Sequence, residues 1–210
     1  MTTPRIKMPA KRKISTMHKA ADAMDWDEAM RLIDSLKEDA RYRDCMLIAC
    51  GCFLGLRISD LLRLKWADLK ESKVTTTEKK TGKERILKVN ARLREIADMC
   101  YREMEIQDPQ EFVFCSRTYG SYSPMSRQMA FKILKECKET YGIRSAEVLS
   151  THSLRKTFGR RVWLQECEKG RGEQALLLLQ DVFGHSSMTI TKRYLGIRQD
   201  EILSVYDSLN

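Results

Sequence analysis

The stretch KVTTTEKKTGKERILKV, residues 73–89, changes the period of the chain, and its reading decides the fold. Two β-prone runs, 74–77 and 85–89, flank a lysine-rich turn centred on Thr81 and Gly82, the pattern of an antiparallel hairpin. Outward from it, apolar residues recur at helical spacing. Upstream, Asp25 is placed to cap a helix, with Glu28 three residues on and Trp26, Met30, Ile33 and Leu36 as its apolar stripe. Further helices are expected at about 41–54 and 59–65. Downstream, helices are expected at about 91–104, 126–141, 150–166, 173–183, 188–194 and 199–209, with a short FVF strand just before Cys115. The expected class is mainly α with a small antiparallel β-sheet (α+β).

The 210 residues suit one large domain or a domain with a tail, and 42% hydrophobic with 32% charged residues describes a globular chain. The longest apolar run, MLIACGCFLGL at 46–56, is too short to span a bilayer and reads as a buried helix. Nothing at the N-terminus has the layout of a signal peptide. Seven cysteines, without a CxxC pair, suggest a reducing compartment, with Cys50 and Cys52 as small buried thiols. The net charge of +9 suggests a polyanionic partner. Six of those charges come from Arg5, Lys7, Lys11, Arg12, Lys13 and Lys19, in an acid-free segment. Residues 1–24 are therefore expected to be a flexible basic arm, and 25–210 the folded domain.

Several groups could act on a phosphate. HSLR puts His152 and Arg155 at i and i+3, on one helix face, and an arginine fork matches phosphate oxygens. In GLRISDLL, Arg57 precedes a helix whose first amides favour an anion. Lys80 sits at the hairpin tip, and GHSSMTITKRY (184–194) opens on His185 and closes on Tyr194. A tyrosine attacking a phosphodiester needs its proton removed, cations for the charge that builds, and an acid for the departing oxygen. No metal or cofactor is expected: no glycine-rich nucleotide loop occurs, and His152 and His185 lack further zinc ligands at recognisable spacing. Each piece alone is more often bland. A His–Arg pair is usually a solvated helix face, the hairpin lysines a charged tip, and Tyr194 a packing residue.

In order and spacing, GLRISDLLRLKW, KKTGKERI, LSTHSLRKTF and FGHSSMTITKRY resemble the catalytic domain of tyrosine recombinases, the phage-integrase family. Arg57 lies 95 residues before His152, His152 three before Arg155, Arg155 thirty before His185, and His185 nine before Tyr194. The resemblance covers about residues 26–200 and implies that family's catalytic fold. It implies Tyr194 as the nucleophile forming a 3′-phosphotyrosyl bond, without ATP or metal. Arg57 and Arg155 would clamp the scissile phosphate, Lys80 would be the general acid with Lys79 its nearest rival, His152 would assist as base, and His185 would hold the phosphate and orient Tyr194. The helical core-binding domain that most members place upstream has no counterpart in the 25 or so residues before the body. Lys156 stands where a second histidine is common.

The resulting expectation is a site-specific recombinase acting on double-stranded DNA in the bacterial cytoplasm, with no membrane association. Arg127, Lys83 and Lys156 are candidate DNA contacts. The family's C-terminal tail docks on a neighbouring protomer, so the helix at about 199–209 is expected to act in trans in a tetramer on DNA, with a monomer in its absence. The rival readings are a type IB topoisomerase-like activity, a catalytically silent DNA-binding relative, and an RNA-binding or structural module supported only by the arm's charge.

Overall fold

The structure, a computed structural model, describes residues 21–77, 82, 84–116, 123–197 and 206. Residues 1–20 of the arm expected at 1–24 lie outside them, as do Lys79, Lys80, Lys83 and, apart from Tyr206, the C-terminal helix expected at 199–209. At the arm's end Asp22 N–H donates to Val148 O at 3.0 Å and Met24 is buried.

The chain begins with α1 (Trp26–Glu38) and α2 (Tyr42–Leu54). All of α2 except Tyr42, Arg43 and Phe53 is buried, because α1, α5 (Ala91–Glu103) and α7 (Thr151–Cys167) pack around it. A helix enclosed this way needs apolar residues on every side, which explains MLIACGCFL. Its one charge inside, Asp44, is gripped by Arg41 at 2.8 Å and Arg43 at 3.1 Å. Gly51 permits the closest approach: a Cβ there would stand 2.5 Å from the Leu154 side chain on α7.

Asp25 occupies the N-cap of α1, but its side chain makes no cap bond. Its amide donates to Ser145 Oγ at 2.9 Å, and the Glu28 carboxylate accepts from the amides of Arg144 and Ser145 and from the Ser145 hydroxyl. The expected capping pair therefore staples α1 to the loop before α7 instead. Those bonds outweigh the cost of burial and leave the Glu28 carboxyl below the usual glutamate range.

The helix expected at 59–65 stops early. α3 (Ile58–Leu61) spans four residues, and a second short helix, α4 (Trp66–Lys70), follows. Between them a turn at Leu62 and Arg63 leads into extended backbone at Lys65: Leu64 O accepts from Val113 N–H at 2.9 Å, and Lys65 bridges Phe112. That pairing with a distant segment overrides the local helical pattern. It also moves the strand expected at FVF. Phe112 makes only the isolated bridge, Val113 and Phe114 are buried, and the strand proper is β3 (Cys115–Ser116), paired with β4 (Ser123–Pro124).

The hairpin forms as the sequence indicates, with β1 (Lys73–Thr77) against β2 (Glu84–Lys88), Lys73 facing Lys88 and Thr77 facing Glu84. Val89 lies just past β2, its amide donating to Ser72 O at 3.1 Å. Side-chain caps open four later helices: Asn90 caps α5, Ser126 caps α6 (Arg127–Thr140), Ser150 caps α7, and Ser187 caps α9 (Met188–Leu195). Between the last two comes α8 (Gly172–Phe183). The main core gathers on α2, and a smaller one holds Leu176, Leu179, Phe183, Leu195 and Ile197, with α7 packed against both. Among the described residues no helix is long and apolar enough to cross a membrane.

Candidate active site

The site forms where α2, α7, α8 and α9 meet. Ser150 and Ser153 cap the start of α7 reciprocally. The first turn thus carries His152 at the exposed mouth, and Arg155, one turn on, points inward with 5% of its surface exposed. Its guanidinium donates to Gly55 O at 2.6 Å and to Phe183 O at 3.1 Å, and lies 4.4 Å from the Phe183 ring centroid. Gly55 ends α2 at a φ of +59°, and a Cβ there would meet Phe158 at 2.4 Å. Only glycine fits this turn, which presents one carbonyl to Arg155 and brings Arg57 two residues later.

Arg57 donates to Phe183 O at 3.0 Å, so both arginines grip the last carbonyl of α8. A third arginine completes the clasp: Arg85, on β2, donates to Val182 O and, at 3.2 Å, to Asp181 O. A helix C-terminus exposes unmatched carbonyls and a partial negative charge, and these three cations answer both. Sequence reasoning missed Arg85. Its only signal is a cation inside a strand, which does not reveal a partner 96 residues away. The expected anion spot at the start of α3 amounts to little, since a four-residue helix carries little dipole. The Arg57 guanidinium is the cationic group there.

After Phe183, Gly184 turns the chain at a φ of +62°. His185 follows, its amide bonded to Gln180 O at 3.0 Å and its Nδ1 at 3.0 Å from Thr191 Oγ1. Tyr194, nine residues later and on α9, packs edge-on to His185 with ring centroids 5.2 Å apart, and to Phe183 at 5.4 Å. Its hydroxyl is buried alongside Arg155, with no hydrogen bond of good geometry to it among the described residues. Burial pushes the phenol above its usual pKa, although Arg155 and Arg57 both pull it down. The imidazoles shift the other way. Burial first, then Arg155 and Lys156, lowers His152, and burial, then Arg155 and Arg57, lowers His185. Five of the six expected catalytic residues therefore gather in one protomer, and the sixth, Lys80, lies outside the described residues.

The candidate DNA contacts separate. Arg127 is exposed in the first turn of α6. Lys156 is half-buried, donating to Ala21 O at 2.6 Å and standing 5.2 Å from the Tyr194 ring centroid, so its ammonium is a neighbour of the tyrosine. Among the described residues no group of three His, Cys, Asp or Glu side chains could hold a metal ion.

This fold is that of the tyrosine-recombinase catalytic domains. The crystal structure of XerA recombinase superposes with a TM-score of 0.64 at 21% identity, over 90% of this chain and 65% of that one. XerH site-specific recombinase, bound to palindromic difH substrate in a post-cleavage complex, gives 0.64 at 20% identity, over 90% of this chain and 54% of that one. The chain belongs to the phage integrase family, whose profile matches residues 22–201. A probable integrase/recombinase, YoeC of Bacillus subtilis, is 30% identical over 186 residues, 85% of this chain and 94% of that protein. Tyrosine recombinase XerC of Pseudomonas putida is 29% identical over 191 residues, 88% of this chain but 59% of its own length.

Proposed function

We propose that the protein is a site-specific DNA recombinase, cutting and rejoining double-stranded DNA through a covalent 3′-phosphotyrosyl link to Tyr194. The observation that carries this reading is the arginine clasp: Arg57 and Arg155 share the Phe183 carbonyl, and both charges act on the phenol of Tyr194. In this reaction the Tyr194 oxygen bonds to the scissile phosphorus as the bond to the 5′-oxygen breaks. The phenolic proton passes to His152, and Lys80 protonates the departing 5′-hydroxyl. Arg57, Arg155 and His185 offset the charge on the non-bridging oxygens. A phosphodiester is exchanged for a phosphodiester, so rejoining needs no ATP.

DNA as partner is supported by the XerH complex and by a lambda integrase dimer bound to a COC′ core site, which shares the fold at a TM-score of 0.60. The net charge of +9 fits a polyanion, and the basic arm would add phosphate contacts of no sequence preference. Assembly into a tetramer on DNA, linked by the segment beyond Ile197, belongs to the same proposal. The YoeC and XerC relatives are bacterial, which supports a DNA-associated place in the bacterial cytoplasm.

The test uses a supercoiled plasmid carrying the DNA on either side of the coding sequence, incubated in EDTA and quenched with detergent. The expected product is a protease-sensitive protein–DNA adduct. Tyr194→Phe abolishes it with DNA binding retained, and Arg57→Ala lowers its rate by on the order of 10²–10³. An adduct that survives Tyr194→Phe sinks the assignment of the nucleophile. Plasmid relaxation without strand exchange would mark a topoisomerase-like enzyme.

A further inference from the structure

Thr191 is completely buried on α9, one turn before Tyr194. Its Oγ1 lies 3.0 Å from Nδ1 of His185 and 3.4 Å from the carbonyl oxygen of Ser187. A threonine hydroxyl has a single proton to donate, while a carbonyl can only accept. Two arrangements follow. If the hydroxyl donates to Ser187, it must accept from an Nδ1–H, and Nε2 of His185 then carries a lone pair. If it donates to Nδ1, the single proton of the neutral ring sits on Nε2. Only the second makes a neutral His185 a donor towards an oxyanion.

The distances favour the second. An O–H···O contact of 3.4 Å is beyond the usual range, whereas 3.0 Å is an ordinary donor–acceptor distance. The charged and titratable neighbours point the same way. Arg57 and Arg155 act on the imidazole, Tyr194 packs on its ring, and Arg85 lies beside Gly184. Burial first, and then the two arginine charges of Arg155 and Arg57, hold the ring below its usual pKa, so at about pH 8 the Nε2 proton does not come from double protonation.

We propose that Thr191 is a positioning residue: its hydroxyl donates to Nδ1 of His185 and holds the ring as the Nε2–H tautomer, ready to bond a phosphate oxygen. What the Nε2 proton is for rests on the phosphodiester reading above. The tautomer does not, and the experiment separates them.

Nitrogen-15 NMR resolves the ring nitrogens of the three histidines in this chain. For the wild-type protein without DNA at about pH 8, the His185 pattern is expected to be that of an Nε2–H imidazole; an Nδ1–H pattern overturns the proposal. The second arm follows adduct formation on the same plasmid. Thr191→Val keeps the shape but loses the hydroxyl, and is expected to slow the reaction on the order of tenfold at about pH 8, less than outright deletion of a donor costs. Thr191→Ser keeps the hydroxyl and is expected to stay within about twofold of wild type. Where the nitrogen-15 pattern shows His185 doubly protonated at lower pH, the ring carries both protons whichever partner it has, so the Val variant is expected to approach the wild-type rate measured there. A defect of the same size at that pH and at about pH 8 means that Thr191 only packs, and overturns the proposal. Should wild type form no Tyr194-dependent adduct, the functional reading fails while the NMR pattern still decides the tautomer.

Discussion

His152 and His185 each lie near arginine charges, and both are shifted towards the neutral form. A DNA phosphate brought between those arginines and the imidazoles opposes the shift and raises both pKa values. The complex then binds more protons than the free protein, so affinity for a generic duplex is expected to rise severalfold between about pH 8 and about pH 6 at constant salt. Fluorescence anisotropy checks this, and replacing both histidines with Asn should flatten the profile. Folding linkage has the opposite consequence: a depressed histidine pKa contributes stability that is present above the ordinary value near 6.5 and lost as pH falls through that region. At this scale the sequence was legible where one residue type is scarce and its spacing specific. His152, Arg155, His185 and Tyr194 fall together, as the motifs indicate. Arg85, Thr191 and the half-buried place of Lys156 were illegible, because each is defined by a partner on another element or by the loss of solvent around it.

Elements were readable where apolar residues recur at helical spacing, as for α5, α6 and α9, and at the hairpin, where the period changes. They were misread where a backbone partner lies far along the chain. Nothing local in 62–65 announces the bond between Leu64 and Val113, and that bond ends the helix and displaces the strand. Helix contacts near the site set tight tolerances. On α7, a Cβ at Gly159 would stand 2.6 Å from Leu195 and 2.8 Å from Phe183, the ring on which Tyr194 and His185 both pack. Gly159→Ala is expected to cost about 1–3 kcal/mol through overpacking. Thermal denaturation should then show a Tm lower by about 2–4 °C per kcal/mol in a chain of this size. An unchanged Tm would mean that α7 and α9 are less closely packed than described.

Across the whole molecule, the five cysteines at positions 45, 50, 52, 100 and 137 are buried, Cys115 is half covered, and Cys167 is exposed. Burial alone pushes the Cys52 thiol up to about 12. Thiolate is the form that reacts, so α2 is shielded twice, by the neighbours around it and by the scarcity of its anion. A maleimide added to the native protein is expected to mark Cys167 at once and Cys115 more slowly, as counted by mass spectrometry. The rest should follow only as fast as the fold opens, in one step if α2 is exposed by global unfolding. The central helix thus carries a clock: the delay before its sulfurs are alkylated times the opening of the scaffold around the tyrosine.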